Sequence, residues 1–157
     1  MTKHEEKARS LFLEGYNCAQ AVYAAFCDVT GIEEEAAHRL SSSFGGGIGR
    51  LREVCGAVSG MAMVAGVVAG YSEAKAPDKK AAHYALIQRL CGAFKAEFGT
   101  YICRELLALP SGPSEPTPDK RDQTYYQRRP CADLVAGAAR ILDAWLEERE
   151  AEQHGGV

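Results

Sequence analysis

Apolar residues recur at steps of three and four along most of the chain, and caps and breakers cut that pattern into helices. Thr2 and Glu5 form a capping box ahead of the stripe Ala8, Leu11 and Phe12, which Gly15 stops in a left-handed turn. Asn17 caps a second helix that carries Cys18, Val22, Ala25, Phe26 and Val29 and ends at Gly31. A third is expected from about 33 to 42. Glu33, Glu34 and Glu35 suit the positive end of its dipole, and Ala36, Ala37, Leu40 and Phe44 form its inner face. Pro77 and Asp78 open a long helix with Leu86, Ile87, Leu90, Cys91, Phe94 and Phe98 on one side, closed by Gly99. A short helical turn follows from Cys103 to Leu109. The last helix begins near Cys131 and presents Leu134, Ala138, Ile141, Leu142 and Trp145, with EEREAEQHGG fraying at its end. No stretch alternates with period two, and only TYYQRR at 124–129 would tolerate a short strand. The expectation is an all-α, single-domain helical bundle.

Two segments depart from this amphipathic pattern. FGGGIGRLREVCGAVSGMAMVAGVVAG, residues 44–70, sets a glycine run ahead of an uncharged stretch of nearly membrane-spanning length. Its composition points elsewhere. Gly56, Ala57, Gly60, Ala62, Ala65, Gly66, Ala69 and Gly70 are residues that let helix backbones approach closely, so a buried central helix is expected. The run Gly45, Gly46, Gly47 and Gly49, with Arg50 and Arg52, could offer backbone amides to an anion. It lacks a G-x-G-x-x-G register, a G-K-[ST] ending and a preceding strand, so a sharp turn into the next helix is the favoured reading. PSGPSEPTPDKRD, residues 110–122, holds four of the six prolines and is expected to be a surface loop or lid inside a single domain, 1–157, with its core at about 2–150.

Composition narrows the partners. With 157 residues, 46% of them hydrophobic and 25% charged, and a net charge of −3, the chain suits one globular core and offers no basic excess for nucleic acid. MTKHEEKARSLF lacks the apolar core of a secretory signal, which makes the cytoplasm the expected location. Thiols there are normally reduced, so six cysteines point to metal binding, redox chemistry or burial rather than to a permanent disulfide framework.

Four of the six share a placement. Cys18, Cys55, Cys103 and Cys131 each stand at an expected helix start, where free amides and the dipole favour a thiolate. Arg50 and Arg52 precede Cys55, Arg104 follows Cys103, and Arg128 and Arg129 precede Cys131; Cys18 has no such neighbour. A thiolate attacks disulfides and binds soft metals, so both roles suit this set. Their gaps match no local zinc or ferredoxin spacing, so any cluster must form by bringing four helix ends together. Cys27 and Cys91 lie within helices beside aromatic residues and read as core. His4, His38, His83 and His154 have no metal-ligand spacing and read as surface residues, and nothing selects Glu73, Glu97 or Glu105 as functional carboxylates.

Asn17-Cys18-Ala19-Gln20-Ala21-Val22, Phe44-Gly45-Gly46-Gly47-Ile48-Gly49-Arg50, Cys55-Gly56-Ala57-Val58-Ser59-Gly60, Cys103-Arg104-Glu105-Leu106 and Cys131 together resemble the C_GCAxxG_C_C family of redox-active proteins. The resemblance runs from Tyr16 to about Trp145. It implies an all-helical domain whose four signature cysteines map onto Cys18, Cys55, Cys103 and Cys131. A related domain in split-Soret cytochromes implies electron transfer or a metal centre. The family name places glycine before its second cysteine, whereas here Val54 precedes Cys55 and Gly56 follows it. No C-x-x-C-H is present, which excludes a c-type haem.

The expected function is cysteine-based redox chemistry, either thiol–disulfide exchange or electron transfer, in an oxidoreductase role. The alternative for the same four cysteines is an iron–sulfur cluster or zinc, and a third reading is a partner-binding bundle in which they only pack. A redox partner protein or a small thiol is the expected partner, with neither nucleic acid nor membrane. Small-residue helices pack within one chain or between two, so a homodimer is compatible with the sequence.

Overall fold

The structure is a computed structural model that describes residues 1–155. Helix α1, Lys3–Glu14, starts on the Thr2–Glu5 capping box and stops where Gly15 adopts φ 118°. Helix α2, Cys18–Ala25, begins on a second reciprocal box, Asn17 with Gln20. The second predicted helix is in fact two. Phe26 leaves helical geometry (φ −105°, ψ 21°), and a single turn, α3, covers Cys27–Thr30 up to Gly31. A one-residue kink does not disturb apolar steps of three and four, so periodicity alone is blind to it.

Helix α4, Glu34–Ser41, uses the Glu33 side chain as its cap, accepting from the amides of Glu35 and Ala36. Its inward face is rotated from the expected one. Ala37, His38 and Ser41 are buried while Leu40 is 55% exposed, because His38 stacks on Tyr16 at 3.8 Å and its carbonyl accepts from Gln20 Nε2. The 3₁₀ turn Ser42–Phe44 then leads into the glycine run.

Helix α5, Gly56–Ala69, is the small-residue helix, and Ala57, Val58, Met61, Val64 and Ala65 are buried on it. It shares the centre with α2, whose Ala19, Ala21, Val22, Tyr23, Ala24 and Ala25 are also buried. Gly60 makes that pairing close, since a Cβ there would stand 2.8 Å from the Ala19 carbonyl oxygen. Helix α6, Pro77–Phe98, covers one flank and buries only Leu90 and Phe94, with Leu86, Ile87, Cys91 and Phe98 half-buried. The turn α7, Cys103–Leu106, precedes the proline-rich loop, which holds no regular structure.

Residues 123–128 form a helix, α8 (Gln123–Arg128), not a strand. Asp122 caps it by accepting from the Tyr125 amide at 2.9 Å. The last helix, α9 (Cys131–His154), packs along α1 and does not fray at 147: it continues to His154. The buried apolar residues of α1, α2, α5, α6 and α9 form one core. Among the described residues no strand is present, and no helix is long and apolar enough to cross a membrane.

Candidate functional site

The four helix starts meet. Cys18, Cys55, Cys103 and Cys131 all line one cavity of about 190 Å³, together with Arg50, Arg52, Arg121, Arg129, Asp119 and Tyr125. Cys27 and Cys91 lie outside it, half-buried against the core as expected, although Cys27 opens α3 instead of sitting mid-helix.

Each thiol is placed by a local device. Cys18 is the first residue of α2, directly after the capping Asn17, whose Nδ2 also donates to the Ser42 carbonyl at 3.0 Å. Cys55 is the residue before α5, held extended at φ −51°, ψ 133°. A short antiparallel bridge between Val54 and Ile102 carries Cys55 and Cys103 to the same place. The Cys55 amide donates to the Tyr101 carbonyl at 2.9 Å, and the Cys103 amide donates to the Glu53 carbonyl at 2.6 Å. Cys131 opens α9 after Pro130, which supplies no donor and ends α8's stretch of chain.

The glycine run explains the crowding. Gly46 through Arg50 all have φ between 54° and 69°, a left-handed turn that includes Ile48 and Arg50, and Arg52 follows at 62°. Each left-handed residue with a side chain costs about 1–3 kcal/mol, so the surroundings must hold this turn firmly. Gly47 is indispensable for space as well as for φ: a Cβ there would lie 2.7 Å from the Glu53 amide nitrogen and 2.8 Å from Cys103 Cβ. Gly56 does the same for the first cysteine, with a Cβ falling 3.0 Å from the Ala19 nitrogen and 3.1 Å from Cys18 Cβ. Gly46, Gly47 and Gly49 thus carry the sharp turn, and Gly47 and Gly56 let the cysteine-bearing segments approach closely.

Positive charge surrounds the thiols: of the expected neighbours Arg50, Arg52 and Arg129 line the cavity, whereas Arg104 and Arg128 do not. Arg104 turns away to Glu53 at 2.9 Å. Buried Arg52 takes its place, with Nη1 donating to Cys103 Sγ at 3.6 Å and Nε to Ser114 Oγ at 2.9 Å. Arg121 donates to the carbonyls of Phe12 and Tyr16 at 2.9 and 3.1 Å and lies over the Phe12 and Tyr125 rings. Arg50 Nη1, Arg52 Nη2 and Arg129 Nη2 converge on a single oxygen, Asp119 Oδ2, at 3.3, 4.0 and 2.8 Å. Sequence reasoning missed Asp119, Arg121 and Tyr125. The signal was there as Lys120, Arg121, Arg128 and Arg129 gathered in an otherwise acidic chain.

The expectation that all four thiols would be acidified is corrected. The Cys18 thiol is pushed well above the ordinary range, first by its pairing with the Cys131 sulfur, then by burial and by the other sulfurs. That same pairing holds Cys131 down; burial opposes it, and Arg129, Arg121 and Arg52 reinforce it. Burial pushes Cys55 up to about 12 despite the amides of Ala57 and Val58. Cys18 and Cys131 are thus shifted in opposite directions, and Cys55 and Cys103 line the same cavity. All six cysteines are free. Among the described residues no three His, Cys, Asp or Glu side chains converge closely enough to hold a metal ion, so the sulfurs as placed do not fit zinc or an iron–sulfur cluster.

No curated protein and no solved structure matches the chain. The family model described as "Putative redox-active protein (C_GCAxxG_C_C)" matches residues 16–145, which take in all four cavity cysteines and the loop that carries Asp119, and the chain belongs to that family.

Proposed function

We propose that the protein is a thiol–disulfide oxidoreductase in which Cys131 is the attacking thiolate and Cys18 the resolving thiol. The observation that carries this reading is that Cys18 and Cys131 line one arginine-rich cavity, in which pairing with Cys18, then Arg129, Arg121 and Arg52, hold Cys131 down against burial while Cys18 is pushed up. The Cys131 sulfur attacks one sulfur of an incoming disulfide, the substrate S–S bond breaks, and the first product leaves as a thiolate that takes a proton from solvent. Cys18 then gives up its proton, its sulfur attacks Cys131 Sγ, and the second product thiol leaves with that proton. Two electrons pass to the substrate as the Cys18–Cys131 bond forms, and the reverse run oxidises two small thiols or a partner protein's dithiol. Cys55 and Cys103 are a second sulfur pair to which the disulfide can be passed.

The test is oxidation of the reduced protein with a limiting small disulfide, followed by peptide mapping. A Cys18–Cys131 crosslink is the expected product. Stoichiometric iron or zinc after anaerobic purification, with no crosslink, would overturn this reading in favour of a metal centre.

A further inference from the structure

The cavity carries more positive charge than its own acid can balance. Arg50, Arg52, Arg121 and Arg129 line it, and among the described residues Asp119 is the only acidic one in its walls, in a chain whose net charge is −3. Three of these guanidinium groups point at one carboxylate oxygen, while Arg121 is held by backbone carbonyls and aromatic rings and pairs with no carboxylate among the described residues. Planar guanidinium groups gathered in this way are matched by carboxylates.

Asp119 itself is delivered by the 110–122 loop. That loop is fastened at Ser114, whose amide donates to the Arg50 carbonyl at 2.9 Å, and at Glu115, whose carbonyl accepts from Arg50 Nε at 2.5 Å. Pro118 and Asp119 form part of the cavity wall, and the Asp119 side chain is 41% exposed at its rim. A carboxylate at that exposure is screened by solvent and readily exchanged for another.

From this geometry we propose that the cavity selects small disulfides and thiols bearing carboxylates, and that Asp119 occupies the substrate carboxylate's place until one arrives. The proposal rests on the thiol–disulfide reading above and names its substrate class. A carboxylate that displaces Asp119 pairs with Arg50 and Arg129 at the rim, and its attached sulfur then lies among the thiols that line the same cavity. The loop segment that carries Asp119 is displaced at the same moment, which widens the access.

Two disulfides of similar size separate charge from chemistry: 3,3′-dithiodipropionate, a dianion, and 2-hydroxyethyl disulfide, which is neutral. Rates of thiol loss are measured with each on the folded protein and on the same chain in urea. The folded protein should favour the dianion by about tenfold or more relative to the unfolded chain, the scale on which focused charge raises encounter. Asp119→Asn should raise the dianion's rate several-fold more than the neutral compound's, and Arg129→Gln should cut the dianion's advantage. If both disulfides oxidise the folded protein in the ratio seen in urea, the anion selectivity is wrong and the thiol chemistry stands. If neither oxidises it, the thiol–disulfide reading fails, and this proposal with it.

Discussion

Arg52 Nη1 donates to the Cys103 sulfur across 3.6 Å while Nε of the same group holds Ser114 of the proline-rich loop at 2.9 Å. A buried side chain on a left-handed residue thus ties the cavity floor to its cover.

Replacing it should loosen both. Arg52→Gln is expected to lower stability by about 1.5–3 kcal/mol, the range for hydrogen bonds to a charged group. It should also open residues 110–122 to limited proteolysis. Urea unfolding together with mapping of the first cleavage checks this, and a loop as resistant as before would show that Arg50 and Arg121 suffice to fasten it.

Alkylation should report the asymmetry of the central sulfur pair. Cys131 is held down while Cys18 and Cys55 are pushed up, so the rate of Cys131 with iodoacetamide should climb at lower pH than the rates of Cys18 and Cys55. Cys18→Ala removes the paired sulfur and should move the Cys131 midpoint upward. Peptide mass spectrometry resolves the sites, and an unmoved midpoint would assign the acidity to the arginines alone.

Acid should act through Glu5. Burial works to raise its pKa, but the Thr2 amide at 2.8 Å and Arg140 at 3.1 Å outweigh it and leave the carboxyl below its usual range. A carboxyl lowered in the folded state contributes stability above its unfolded pKa, about 4.3, and loses it as pH falls through the lowered folded value. Glu5→Gln should therefore cost about 1–3 kcal/mol at neutral pH, with the gap to wild type closing in acid. A gap independent of pH in chemical unfolding would contradict the charge-based account.

Glycines should divide by setting. Gly47→Ala meets the Glu53 amide and Cys103 Cβ and should destabilise by about 1–3 kcal/mol. Gly92→Ala lies within α6 with nothing inside 4 Å of the new methyl and should stabilise by about 0.5–1 kcal/mol. Thermal unfolding of the two variants checks the contrast, which fails if both shift in the same direction.

Helix existence was legible from local chemistry: the Thr2 and Asn17 caps, Pro77 at a helix start, and Gly15, Gly31 and Gly99 at ends all act within a few residues. So was the sharing of helix starts by four cysteines. What periodicity could not carry was inward direction, as Leu40 and His38 show, because stacking on Tyr16 decided that face. Nor could it place 52–55 against 101–104, since that pairing rests on backbone hydrogen bonds between segments far apart in sequence. The charge around the thiols was hidden for the same reason. Arg121 and Asp119 come from a loop whose composition signals only irregular chain.

The Cys18–Cys131 pair joins the start of the second helix to the start of the last, so a bond between these sulfurs would close a loop of more than a hundred residues. In the chain-entropy picture a crosslink over about 100 residues is worth about 4.7 kcal/mol to the native state. The cycle must close, so whatever the crosslink adds to the fold, the fold adds to the crosslink. For a two-electron couple about 30 mV corresponds to 1.4 kcal/mol, so an unstrained crosslink of this kind would make the folded dithiol roughly 100 mV more reducing than the same thiols on an unfolded chain. Denaturation would then leave a weaker reductant as well as a disordered protein.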